Sequence, residues 1–201
     1  NRVFALSNLA ALINYSATFA VGFLLSLYLQ YIRGYSAQTA GLILIAQPVL
    51  MALFSPWAGR LSDRVEPRLV ASTGMALAVV GLALLIFLGP DTSIVYLLLV
   101  LALLGLGFAL FSSPNTNTIM SSVQPQHYGL ASATLATMRT TGQMVSMALA
   151  MLVFAVVIGR VEITPEHYSA FQHAVRVAFG IATGMCVAGT FASLARGNLR
   201  S

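Results

Sequence analysis

The sequence predicts an all-α integral membrane protein with six transmembrane helices. Three observations carry that prediction. Of 201 residues, 58% are hydrophobic, about 117 positions, and only 7% are charged; ordinary soluble domains carry roughly 25% charged residues. Mean hydropathy is +0.87. The few charges fall between long charge-free windows, and a helix needs ~20 mostly apolar residues to cross a bilayer, so the apolar content matches about six spans. A soluble enzyme, a disordered tail and a disulfide scaffold fit this composition poorly.

The backbone must satisfy its own hydrogen bonds in lipid, so each window is read as a helix between short polar turns. The first helix runs from about Val3 to Ile32, free of charge throughout. The second covers about Gln38–Gly59, and the third about Leu69–Leu88. Pro48 lies near the middle of the second, where it removes a backbone donor and predicts a kink. The window that follows is too long for one helix. It breaks at Ser121–Tyr128, where Pro125 and polar neighbours mark a turn. The fourth helix is therefore about Ile94–Met120, with Pro114 predicting a kink near its end. The fifth runs over about Leu130–Gly159 and carries Arg139; the sixth is about Phe171–Ala195.

The ten basic residues are all Arg. With six spans both termini share a side, which holds Arg2, Arg60, Arg64, Arg68, Arg196 and Arg200. The opposite side holds Arg33, Arg160 and Arg176. The excess of positive charge places both termini in the cytoplasm of a multi-pass protein of a cell membrane, a prokaryotic plasma or inner membrane. Arginines scattered between spans belong to topology, not to a nucleic-acid groove. Cys186 is alone, so no intrachain disulfide and no metal cluster is expected. His127, His167 and His173 fall at turns or helix ends without metal-ligand spacing. The chain opens Asn1-Arg2-Val3, without an initiator Met or a signal-peptide pattern, and is read as a piece of a longer protein.

The turn between the second and third helices reads Gly59-Arg60-Leu61-Ser62-Asp63-Arg64-Val65-Glu66-Pro67-Arg68. It resembles the loop G-x-x-x-D-R-x-G-R/K-R/K of the major facilitator superfamily, at the matching place in a six-helix half. Glu66-Pro67 departs from that pattern and is similar to the weaker second copy. The fourth helix lacks an Arg and the fifth lacks Pro, both also features of the C-terminal half. The resemblance covers almost the whole chain, is closest to the fourteen-helix drug:proton antiporter branch, and is carried by order and spacing. It implies one half of a bundle that rocks around a site near the midplane. The first and fourth helices would line the cavity, the second and fifth would meet a missing N-terminal half, and the third and sixth would lie outside. Gly59, Asp63, Arg64 and Arg68 would form a cytoplasmic gating loop, with Asp63 set where the third helix begins. A positive-inside loop without gating duty is the plainer alternative.

Polar residues inside the spans supply the candidate cavity. Asn14, Thr18, Gly22, Ser26 and Gln30 recur every four residues and form one drifting stripe, with Tyr15 beside it. Such a stripe faces protein or water rather than lipid; interhelical bonding without a ligand is the alternative. Gln47 either contacts substrate or bonds the backbone loosened by Pro48. Ser112 and Asn115 share a face of the fourth helix, where Asn115 also suits helix-end capping. Arg139 is a charge well inside a span and shares a face with Ser132, Gln143 and Ser146; it binds an anionic group or an acidic residue from the missing half, or snorkels to headgroups. Gly180 and Gly184 form a GxxxG expected to pack closely against a neighbour.

Asp63, Glu66, Asp91, Glu162 and Glu166 all fall in expected loops, so no midplane proton acceptor is present in this segment. No Gly-x-Ser-x-Gly, HExxH or P-loop occurs, which argues against an enzyme or an ATP-driven pump. The sequence thus reads as part of a secondary transporter without a cofactor. The resemblance alone implies a drug-like or amphipathic small-molecule substrate, export by alternating access, and coupling to protons. The alternative is a non-transporting membrane module that binds a protein or lipid partner, whose polar stripe would pack dry.

Overall fold

The computed structural model describes residues 2–159 and 164–195. Arg160, Glu162, Arg196 and Arg200, which entered the charge count, lie outside the described residues. Six helices are long and apolar enough to cross a membrane: α1 (Arg2–Ile32), α2 (Ala37–Arg64), α3 (Pro67–Leu85), α4 (Ile94–Ser121), α5 (Pro125–Val157) and α6 (Pro165–Leu194). No strand occurs among the described residues.

Several ends differ from the sequence reading, each for a local reason. Gly59 does not stop α2. Its φ is not positive, and a Cβ there would lie 3.1 Å from the Ser113 Oγ of α4, so it serves a close approach. Helix α2 continues to Arg64, and only Val65 and Glu66 separate it from α3, which opens with Pro67 in its first turn. A proline fits there because the missing N–H would have no helical partner. The expected gating loop is therefore not a loop: Gly59, Asp63 and Arg64 are helical in α2, and Arg68 is in α3. Asp63 ends α2 rather than starting α3. Helices α5 and α6 each begin with a Pro-x-His-Tyr segment, Pro125–Tyr128 and Pro165–Tyr168, folded as one tight turn feeding the helix. Their polar residues read as loop in sequence.

Two spans are interrupted inside the bundle. In α2 the α-helical run ends at Leu44 and resumes at Ala46; Pro48 cannot donate to the Leu44 carbonyl, so the ladder breaks one turn before it. In α1 the break is at Phe19, with no proline nearby. There the Ser146 hydroxyl of α5 accepts the Ala20 N–H at 2.9 Å, and the Thr18 hydroxyl donates to the Asn14 carbonyl at 2.6 Å. Side chains inserting into the ladder are a recognised cause of such a break. Pro114, by contrast, leaves α4 a single helix from Ile94 to Ser121.

The helices pack in a repeated pattern. Helix α1 rests on α5 and α6, and α4 rests on α2 and α3, while α1 touches α4 and α3 touches α6. Exchanging α1–α3 with α4–α6 leaves this list unchanged, as expected of two three-helix repeats around a pseudo-two-fold axis. Helices α1, α3 and α4 bury at least half of their most apolar windows, whereas α2, α5 and α6 keep most of theirs outside. Helix α3 packs between α4 and α6.

Lipid tails are as apolar as leucine, so close packing rather than water exclusion drives helix association in a bilayer. Glycines supply it at the crossings. A Cβ on Gly74 would meet Gly107 O at 2.6 Å across the α3–α4 contact; one on Gly105 would meet Gln47 O at 2.6 Å, and one on Gly142 would meet Leu12 O at 2.7 Å. The expected Gly180/Gly184 pair has no neighbour within 4 Å; Gly189, a few residues on, packs on Met75 and Ile13 instead.

Helix ends are tied by arginines. Arg176 of α6 donates through Nε and Nη2 to Leu88 O beyond the end of α3, at 3.3 and 3.1 Å, and Gln172 joins at 3.0 Å. At the other end Arg68 of α3 reaches Leu194 O (3.5 Å) and Arg2 reaches Ala195 O (3.3 Å), at the end of α6. Arg33 binds Pro90 O, and Tyr28 donates to Gly89 O at 2.6 Å. Cations at helix C-termini offset the partial negative charge of the unsatisfied carbonyls.

Candidate functional site

A stripe of residues four apart turns 40° per step on a 100° helix, so a long stripe cannot stay on one face. The α1 stripe splits accordingly. Asn14 and Thr18 are buried in the bundle, and Ser26 and Gln30 are half-buried on the more open face beyond Gly22. Asn14 Oδ1 has no hydrogen-bond partner. Gln30 Nε2 donates to Ser26 Oγ at 2.9 Å, which holds the two as a pair. A single turn of wider helix, Tyr28–Ile32, contains Gln30; such bulges recur at functional sites.

A polar cluster forms where α1, α4 and α5 meet. Arg139 lies eleven residues beyond Tyr128, about 17 Å along α5 at 1.5 Å per residue. Its guanidinium lies over the Tyr15 ring at 5.5 Å and donates through Nη2 to Thr116 Oγ1 at 3.0 Å. The Thr116 hydroxyl donates in turn to Ser112 O at 2.8 Å, so both its roles are filled. Tyr15 also meets Phe108 of α4, centroids 6.5 Å apart. Arg139 Nε is buried without a partner. Arg139, Gln143, Thr140, Thr116, Ser132 and Met120 border a cleft of about 420 Å³.

The structure thus brings Tyr15, Arg139 and Gln143 together and sets Ser112 one turn from both Phe108 and Thr116. Asn115 is elsewhere: it is buried, and its Nδ2 donates to Ser7 O at 3.2 Å, joining α4 to α1. Gln47 is half-buried, with its backbone carbonyl against Gly105. Sequence reasoning missed the role of Thr116 and did not foresee the partner of Ser146. Thr116 lies four residues past Ser112, so its shared face was legible; nothing local marks Ser146 as the acceptor for a backbone N–H on another helix.

A second cleft of about 490 Å³ opens at the end of the bundle that carries Arg2. It is bordered by Asp63 and Pro67 at the α2–α3 junction, Asn117 and Ser121 at the end of α4, and Tyr128 at the start of α5. Asp63 and Arg64 are exposed, and Arg68 is half-buried at the α6 end. No group of three metal-ligating side chains occurs among the described residues.

Comparison with known proteins matches residues 8–198 to the Major Facilitator Superfamily. The chain is 30% identical over 189 residues to the riboflavin transporter RibZ of Clostridioides difficile, covering 94% of this chain and 41% of that protein. It is 36% identical over 91 residues to the lincomycin resistance protein LmrB of Listeria monocytogenes, 45% of this chain and 19% of that one. Over 133 residues it is 29% identical to the multidrug resistance protein Stp of Mycobacterium tuberculosis, 66% of this chain and 25% of that one. The chain therefore spans less than half the length of these relatives.

Proposed function

Because this chain belongs to the major facilitator superfamily, we propose that it is part of a secondary active transporter that exports drug-like or amphipathic small molecules by alternating access. The observation that carries the proposal is the convergence of Tyr15, Thr116, Arg139 and Gln143 at a cleft between membrane-spanning helices. Polar and charged groups are costly in hydrocarbon and cluster where water or substrate passes. Relatives named for lincomycin and multidrug resistance support the substrate class; one named for riboflavin supports transport of an amphipathic ring system.

Coupling to protons is part of the same proposal. No acidic residue lies in the membrane-buried part of the described spans, so the carboxylate that carries the proton belongs to a part of the transporter outside this chain. The cleft edged by Asp63 acts as a latch on the cytoplasmic side, made in one state of the rocking cycle and broken in the other. Tyr15, Ser26, Gln30, Ser112, Arg139 and Gln143 are the substrate-facing set, with Gln47 at the α2–α4 crossing. Asn14, Thr18 and Asn115 hold the helices that carry it.

The test uses the full-length protein in proteoliposomes with an imposed pH gradient, with riboflavin and lincomycin as first probes. Gradient-driven movement of either one, lost when the gradient is collapsed, is the expected result. Movement down a concentration gradient that ignores pH would leave a transporter without proton coupling. No movement of any amphipathic probe would favour a module that binds a protein or lipid partner.

A further inference from the structure

Arg2, Arg68 and Arg176 each donate to a backbone carbonyl at or just past a helix end, and Arg33 donates to one in the α3–α4 turn. Arg139 does not. Of the five N–H donors of a guanidinium, one meets Thr116 Oγ1, and the Nε–H is buried without a partner. The Tyr15 ring covers one face. Among the described residues no carboxylate pairs with Arg139. A guanidinium partly withdrawn from water without a counter-charge is disfavoured in a bilayer, and an anion that meets its Nη groups from the cleft offsets that cost.

The surroundings define what that anion is. The guanidinium edges a cleft of about 420 Å³, the size of a small-molecule pocket. The planar fork of Arg matches a carboxylate with two parallel hydrogen bonds. One cation balances one negative charge, so a monoanionic carboxylate is the group this lone guanidinium neutralises in full. Gln143 and Thr140 border the same cleft and add donors beside the fork; Met120, Leu135 and Ala136 give it an apolar wall.

We infer that this cleft is a carboxylate subsite, which seats the acid group of an amphipathic substrate on Arg139 and Gln143 and its apolar body against Met120 and Leu135. The inference rests on the transporter reading and adds to its substrates amphipathic molecules that bear a carboxylate.

The test is binding to the purified full-length protein in detergent by calorimetry, with 1-naphthoate and the neutral isostere 1-naphthalenemethanol as probes. The expected result is a preference for the acid of about tenfold or more. Arg139→Gln removes the preference, Arg139→Lys keeps part of it, and Gln143→Leu weakens the acid alone by a few-fold. The Gln143 variant leaves the Thr116 and Tyr15 contacts of Arg139 in place, so it reports on the site even where Arg139→Gln misfolds. Equal affinity for acid and alcohol overturns the inference. If Arg139→Gln then also lowers the melting temperature of the ligand-free protein by several degrees, the carboxylate is the protein's own, from outside this chain. Acid preference without transport in proteoliposomes overturns the transporter reading and leaves the subsite; transport without acid preference does the reverse.

Discussion

Gly74 and Gly107 sit across the α3–α4 crossing with no room for a methyl group on either. The obstructing atoms are mostly backbone, which cannot turn aside. Gly74→Ala should therefore destabilise the protein by about 2–3 kcal/mol, the usual cost of overpacking. Gly180→Ala and Gly184→Ala meet open space and should be neutral or stabilising by up to about 1 kcal/mol through helix propensity. Thermal unfolding in detergent separates the two classes, and equal losses in both would mean that α6 packs through its GxxxG after all. The same scale explains Asn115. It reads in sequence as a polar group for a ligand, yet its amide is occupied by Ser7 O. Asn115→Ala should cost only about 0.6 kcal/mol, the average for an interhelical bond in a membrane, and should leave substrate affinity unchanged in a binding titration.

At the scale of the helix, α3 and α6 hold each other's ends. Arg176 and Gln172 secure Leu88 O, and Arg68 secures Leu194 O. Arg176→Gln removes two of the three bonds to Leu88 O and should destabilise by about 1–2 kcal/mol. Amides of the α3–α4 turn around Gly89 should then exchange faster with solvent, while those of α5 stay protected. Asp63 poses a different question, since it sits in the last turn of α2, where the partial charge of its own helix is negative. A carboxylate there works against the dipole of α2, so the helix itself loses nothing when its charge is removed. Asp63→Asn should slow transport several-fold with little change in substrate binding. An unchanged rate would remove the latch.

The whole bundle decides which polar residues meet water. Helix α1 presents Ser26 and Gln30 on its more open face and turns Asn14 and Thr18 inward. Cys substituted at Ser26 or Gln30 in the full-length protein should react with a water-soluble maleimide in native membranes, and Cys at Asn14 or Thr18 should stay protected. Cys186 is fully buried and gives no background. Uniform protection along the stripe would mean that α1 packs dry, which favours the binding-module reading. The exchange of partners between α1–α3 and α4–α6 has the same consequence at larger scale. It sets α1 and α4 side by side at the centre, with α2 and α5 each packed against the repeat that is not their own.

The sequence alone determined the class of the molecule. Fifty-eight per cent apolar residues and charge-free windows long enough for a bilayer leave a helical membrane protein as the one economical fold, and order and spacing pointed to the family. Arg139 was legible as a candidate because a charge inside a span stands out against its neighbours. What the sequence left open was direction. A repeat of four does not tell where the stripe leaves the packed face, so Asn14 and Gln30 looked alike. A GxxxG does not tell whether another helix is near, and Gly59 reads equally as a helix stop or a crossing point. The pairing of Arg139 with Thr116 and Tyr15, and of Ser146 with the Ala20 N–H, joins residues far apart in the chain. Those contacts follow from how the six helices lean on one another, and local periodicity carries no record of them.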